Sequence, residues 1–112
     1  MMNNRKIVFI VGPTASGKTA LSIELAKQFS MEIISCDSMH VYKGLDIGTD
    51  KVSLDIRASI PHHLIDIKDP SEEYSIFDYR TDCLTALENV FSARHIPLIV
   101  GGSGLYMKAV CD

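Results

Sequence analysis

Apolar residues fall in short runs along this chain, each broken by glycine or by an abrupt return of polarity. Lys6 to Val11 is a continuous β-branched and aromatic run, the pattern of a strand buried on both faces. Lys18 to Phe29 places Leu21, Leu25 and Phe29 four residues apart, which predicts a helix with one apolar stripe. Glu32 to Ser35, around Ile33 and Ile34, reads as a second short strand, and polarity returns at Cys36-Asp37-Ser38. Residues 39–61 show no clear period. Gly44, Gly48 and Pro61 punctuate them as a long connection, which in a compact domain is more often functional than idle. His62 to Ile67 predicts a third strand, closed by Asp69-Pro70. From Ser75 a helix follows, with the capping-box spacing of Ser75 and Asp78 and a stripe of Phe77, Leu84, Leu87 and Phe91. Pro97 to Val100 is another buried strand, ending in Gly101-Gly102-Ser103-Gly104, and Leu105 to Val110 begins a further helix.

Strands alternating with helices imply βαβ units and a parallel sheet flanked by helices, an α/β fold. In such sheets ligands sit beyond the carboxyl ends of the strands. Three segments fall there, residues 12–19, 36–40 and 101–104, and they should converge on one site.

The first of these segments carries the strongest chemistry. Gly12-Pro13-Thr14-Ala15-Ser16-Gly17-Lys18-Thr19 is the complete P-loop pattern, set between a strand-like run and a helix-like one. Its glycines let successive backbone N–H groups turn inward around phosphate oxygens. Lys18 adds a cation, the Thr19 hydroxyl can hold Mg²⁺, and the helix N-terminus favours negative charge. By itself the loop implies nucleotide binding, with ATP or GTP as the first thought. Hydrolysis is not its obvious use. A P-loop hydrolase usually ends a buried strand in an Asp that holds Mg²⁺ through water. Here Leu98-Ile99-Val100 ends in glycine, and Asp66 is a poor substitute because Ile67 continues its run.

Asp37 and Ser38 follow the second strand on the P-loop's edge, where a carboxylate can accept a proton or hold a metal-bound water; the bland alternative is a capping Asp. Gly101 to Gly104 resembles a second backbone cradle in which glycine lets substrate approach and Ser103 offers a hydroxyl, or else a tight strand-to-helix turn. His62 and His63 are adjacent on a strand and so point to opposite faces, which argues against one shared metal ion. His40 and His95 stand alone as ordinary polar residues, although His40 shares the Asp37 segment. Tyr42 and Tyr106 read as half-buried core tyrosines before base-stacking ones.

The bulk numbers add limits. The 112 residues allow one domain at most, and a net charge of −3 gives no support to a nucleic-acid partner. Cys36, Cys83 and Cys111 are odd in number and lack C-x-x-C spacing, so the easy reading is a reducing cytoplasm without a disulfide framework. No apolar run approaches the roughly 18 to 20 residues of a membrane span.

Four strings together go beyond a lone P-loop. They are residues 12–19, Ile33 to Thr49 (Ile-Ile-Ser-Cys-Asp-Ser-Met-His-Val-Tyr-Lys-Gly-Leu-Asp-Ile-Gly-Thr), Ile60 to Asp66 (Ile-Pro-His-His-Leu-Ile-Asp) and Pro97 to Tyr106 (Pro-Leu-Ile-Val-Gly-Gly-Ser-Gly-Leu-Tyr). In order and spacing the chain resembles the tRNA dimethylallyltransferases along essentially its whole length. The resemblance implies a P-loop NTPase-like sheet, and residues 1–112 as the N-terminal part of a prenyltransferase core. It places the family's helical insertion and basic C-terminal portion outside residues 1–112. It implies transfer of a dimethylallyl group from its diphosphate to the exocyclic amine of the adenosine 3′ of the anticodon, in tRNAs that read codons beginning with U.

On this resemblance Gly12 to Thr19 bind the diphosphate, Thr19 holds Mg²⁺, and Lys18 stabilises the departing oxygen. Asp37 matches the general base, and Ser38, Met39 and His40 match the tRNA-contacting stretch. Ser103 stands where the family generally has Thr and keeps the hydroxyl. His40 stands where the family usually has Gln. The full-length family enzyme is expected as a monomer without membrane contact. Two alternatives remain open: an adenylate isopentenyltransferase acting on a free nucleotide, and a small-molecule kinase of the shikimate-kinase type.

Overall fold

In the computed structural model, which describes residues 6–11, 18–37, 40–44 and 53–102, every strand pairs parallel to its neighbour. The elements are β1 (Val8–Val11), α1 (Lys18–Phe29), β2 (Met31–Ser35), α2 (Leu54–Ser59), β3 (His62–His63), α3 (Ile76–Ser92) and β4 (Ile96–Gly101). The sheet runs β1-β4-β2-β3, so β4, the last strand in sequence, inserts between the first two. The expected α/β architecture with a parallel sheet holds.

Side chains alternate across the sheet with the period of a strand. Met31 and Ile33 of β2 and Leu98 of β4 pack with Ala26 of α1 and with Ile60. Ile34 and Ile99 point the other way, against Tyr79, Cys83, Ala86, Leu87 and Val90 of α3. β2 is buried at all five positions because it lies inside the sheet with a helix over each face. β1 differs from the expectation of burial on both faces. Val8 and Ile10 pack toward α1, while Phe9 and Val11 are exposed, Val11 at 61%. The reason is position: among the described residues β1 has a strand on one side only, and α3 packs over β2 and β4.

Both helices exist where expected but turn a different face to the sheet. In α1 the buried residues are Ser22 and Ala26, while Leu21 and Phe29 are more than half exposed. Small side chains let this helix approach the sheet, so the large ones at its flank do not mark the contact. In α3 the stripe is Tyr79, Cys83, Ala86, Leu87 and Val90, a spacing of i, i+4, i+7, i+8 and i+11. Leu87 belongs to the expected stripe and Phe91 packs against its edge, but Phe77 and Leu84 face solvent. The capping box forms: Asp78 N donates to Ser75 Oγ at 3.1 Å, and Ser75 N donates to Asp78 Oδ2 at 2.9 Å. Hydrogen bonding from Ser75 to the Asp78 carboxyl, by the backbone N–H first and the side chain second, holds it below its ordinary pKa.

The third strand is shorter than expected. Leu64 and Asp66 adopt left-handed backbone, φ 66° and 57°, which ends β3 after two residues. The chain then returns beside residues 40–44: Asp66 N donates to His40 O, Ile67 N and Lys68 N to Val41 O, and Lys43 N to Lys68 O. Within the long connection sits the unexpected α2, capped by Ser53 and with no fully buried residue.

Candidate active site at the strand ends

The parallel register decides which segments meet. Val11 pairs with Gly101 and Ser35 with Val100, so the carboxyl ends of β1, β4 and β2 finish side by side. Cys36 N donates to Val100 O at 2.8 Å, drawing the exit of β2 onto β4. Gly101 answers a backbone constraint there. A Cβ at Gly101 would stand 2.1 Å from Cys36 O and 2.5 Å from Cys36 C, so only glycine fits without moving the chain. The sequence expectation tied this glycine to the approach of substrate; the structure ties it to the approach of strand β2.

Asp37 follows at once, its side chain 29% exposed at this edge. A turn closed by His40 N donating to Asp37 O brings the His40 ring back over the strand end. His40 Nδ1 lies 3.0 Å from Ser35 Oγ, and His40 Nε2 lies 3.6 Å from Asp37 Oδ2. Ser35 is itself buried, and its carbonyl accepts the Tyr79 hydroxyl at 3.0 Å, so α3 braces the strand just before the site. On the other side the Asp66 carboxylate accepts from Arg57 Nη1 at 2.8 Å, which fixes the segment that holds the His40 carbonyl. Asp66 thus forms an ion pair with Arg57.

Of the residues expected at the site, Asp37, His40 and the Gly101–Gly102 turn are brought together. Gly12 to Gly17, Ser38, Met39 and Ser103 lie outside the described residues, as do Tyr106 and the helix expected from Leu105. Lys18 and Thr19 open the first turn of α1. Ser35 was not anticipated, because a serine in a buried strand carries no local signal of a partner five residues on.

A second polar cluster also escaped the sequence reading. Glu32, buried on β2, accepts from His63 Nε2 and from His95 Nδ1, each at 2.7 Å. Burial would raise the pKa of its carboxyl, but the bonds from His63 and His95 and their positive charge outweigh that and hold it below the ordinary value. His95 therefore does not stand alone. The signal was available in Glu32 itself, since a charged residue in an apolar strand is almost never fully buried without partners. His62 turns away, as adjacent strand residues do, and its Nδ1 donates to Ile60 O at 2.7 Å. Burial, with the nearby Arg57 and His63 charges, lowers its pKa despite that bond. Among the described residues no group of three or more His, Cys, Asp or Glu could hold a metal ion. A cavity of about 460 Å³ lies between His62–Lys68 and α3 and includes neither Asp37 nor His40.

Comparison with known proteins decides what this edge belongs to. The IPP transferase family model matches residues 40–112, and the isopentenyl transferase model matches residues 5–55. The chain belongs to the IPP transferase family. A tRNA dimethylallyltransferase of Streptococcus pneumoniae is 49% identical over 107 residues, 96% of this chain and 36% of that protein. The solved full-length tRNA isopentenylpyrophosphate transferase of Bacillus halodurans superposes with a TM-score of 0.90 at 48% identity, over 96% of this chain and 35% of its own. A eukaryotic dimethylallyltransferase described as acting on tRNA superposes with a TM-score of 0.89 at 42% identity, over 95% of this chain and 26% of its own. This member of the IPP transferase family thus spans about a third of the length of the curated relatives it matches. Its sheet has the P-loop NTPase-like arrangement of those structures.

Proposed function

We propose that this chain carries the donor-binding and base-bearing part of a tRNA dimethylallyltransferase. One observation supports the reading above the others. A partly exposed carboxylate, Asp37, follows Cys36, whose N–H is bonded to Val100 of β4, and β4 ends level with Val11, the residue before the P-loop sequence. That is the placement a base needs opposite a cradled diphosphate.

The chemistry assigned to it is a displacement at an allylic carbon. The lone pair of the adenine exocyclic amine forms the new N–C bond at C1 of dimethylallyl diphosphate. The C1–O bond breaks with its electrons going to the diphosphate, and the amine proton passes to Asp37. The backbone of Gly12 to Thr19 and the Lys18 ammonium would hold the leaving group and stabilise its growing charge. Mg²⁺ suits this site, because a Thr19 hydroxyl and diphosphate oxygens are the hard donors that such an ion takes, with few protein ligands. When bound it would neutralise charge on the diphosphate. Ser38 to His40 and Ser103 would meet the RNA, whose target adenosine must leave its stack to reach the pocket. The acceptor is the adenosine 3′ of the anticodon in tRNAs that read codons beginning with U, and the setting is the cytoplasm. We place the chain's own role at the donor, with little transfer by residues 1–112 alone.

The test is thermal protection of the purified chain. Dimethylallyl diphosphate should raise the unfolding temperature at lower concentration than ATP, and Lys18→Ala should abolish the effect. Preferential protection by ATP would favour the kinase alternative and overturn this reading. Substantial label transfer to tRNA by the 112-residue chain would overturn the restriction to the donor half.

A further inference from the structure

The contacts of His40 go beyond a place in an RNA-contacting stretch. The ring bridges two side chains of the strand end, with Ser35 Oγ 3.0 Å from Nδ1 and Asp37 Oδ2 3.6 Å from Nε2. The His40 side chain is only 14% exposed, against 29% for Asp37, so the ring is the more deeply set of the two. Its backbone is pinned as well. His40 N donates to Asp37 O, and His40 O accepts from Asp66 N, itself held through Arg57.

Of the two neutral tautomers, the Nε2–H form suits both Ser35 Oγ and Asp37 Oδ2. An ionised carboxylate can only accept, so the nitrogen facing Asp37 carries the hydrogen in the neutral ring. Nδ1 is then an acceptor, and the Ser35 hydroxyl is its donor. The order hydroxyl, imidazole, carboxylate is that of a nucleophilic triad, but Ser35 is 4% exposed and braced inside β2 by Tyr79, so it cannot attack anything. Here the ordering runs in the other direction, from the buried serine outward to the carboxylate. The 3.6 Å separation exceeds a direct hydrogen bond, and the attraction between the N–H and the carboxylate acts across it.

We infer that His40 is a positioning residue for Asp37. Ser35 holds the imidazole in its Nε2–H form, and the attraction between that N–H and Oδ2 steadies the carboxylate at the strand end. This rests on the reading of Asp37 as the base. It differs from a role in which residue 40 contacts the target adenine itself, because the side chain points its hydrogen at the carboxylate. A glutamine at this position has an N–H that can serve the same carboxylate, so Gln is the conservative variant.

Long-range ¹H–¹⁵N correlation spectra of the histidine-labelled 112-residue chain decide the arrangement. The expected result is the Nε2–H tautomer for His40, with Ser35→Ala and Asp37→Asn each shifting it toward a mixture while the unfolding temperature stays near that of the parent. An Nδ1–H tautomer, or a His40 signal indifferent to both substitutions, overturns the proposal. These spectra do not depend on transfer, so failure of the transferase reading would show separately, as absence of protection by dimethylallyl diphosphate. A kinetic arm uses labelled donor and an anticodon stem-loop RNA under single-turnover conditions. His40→Ala should slow the residual transfer step by on the order of tenfold to a hundredfold at unchanged RNA affinity. His40→Gln should restore most of it. Loss of RNA affinity in His40→Ala, with the step itself unchanged, would assign the residue to the base and overturn the proposal.

Discussion

Strand β2 has a carboxylate with histidine neighbours at each end, and the two arrangements are built differently. At the start of the strand Glu32 is buried, and both of its oxygens accept imidazole N–H groups at 2.7 Å from His63 on β3 and His95 before β4. At the far end Asp37 is partly exposed and faces His40 across 3.6 Å. Two short bonds engage both oxygens of the buried Glu32. The contact at Asp37 is longer and lies nearer solvent. The first arrangement ties strands together; the second stands partly exposed at the strand end.

Mutations should separate the two ends, and the largest effect is expected at the buried one. Glu32→Ala strands two imidazoles and should cost about 3 kcal/mol in urea-induced unfolding, at the low end for a broken buried pair because His95 is partly exposed. Gly101→Ala comes next. Its new methyl group must push β4 from the Cys36 carbonyl, for about 1–3 kcal/mol in the same experiment, with disturbed Asp37 and His40 signals in NMR spectra. The third expectation concerns pH. Glu32 has a lowered pKa in the fold, so its contribution is complete above the ordinary value of 4.5 and is lost as pH falls through the lowered one. The stability gap between the parent and Glu32→Gln should therefore narrow in acid, as read by thermal unfolding from pH 6 downward. Asp37→Asn should change stability least, within about 0.5 kcal/mol, because the fold does not depend on its charge. A loss at Asp37 as large as that at Glu32 would erase the distinction between the two ends.

What the sequence revealed divides along the range of the interaction. The α3 capping box was legible because Ser75 and Asp78 are three residues apart and act through local backbone. The parallel sheet and the meeting of the segments after β1, β2 and β4 followed from strand and helix alternation. Helix faces were read less well, since size was the guide and the contacts are made by Ser22, Ala26, Cys83 and Ala86. β3 was overextended because Leu64 and Asp66 take left-handed backbone without the glycine that would announce it. α2 was missed because its six residues bury none of their number completely. Glu32 meets His63 and His95 across 31 and 63 residues of chain, a distance over which periodicity says nothing. At the site, Asp37 could be read from its place after a strand, while the support from Ser35 depends on the return of His40 to the strand end.

The thiols beneath Tyr79 offer a clock for motions of this fold. Cys36 and Cys83 are both buried in the α3 side of the core, and burial pushes the Cys83 thiol up to about 11. Neither can meet an alkylating reagent until something opens. Cys83 would be released only when α3 leaves the sheet, whereas Cys36 sits one residue from Asp37 and would be released when the strand end alone peels back. Equal labelling rates would mean that the strand end breathes only with the whole domain; faster labelling of Cys36 would time the opening of the candidate active site by itself.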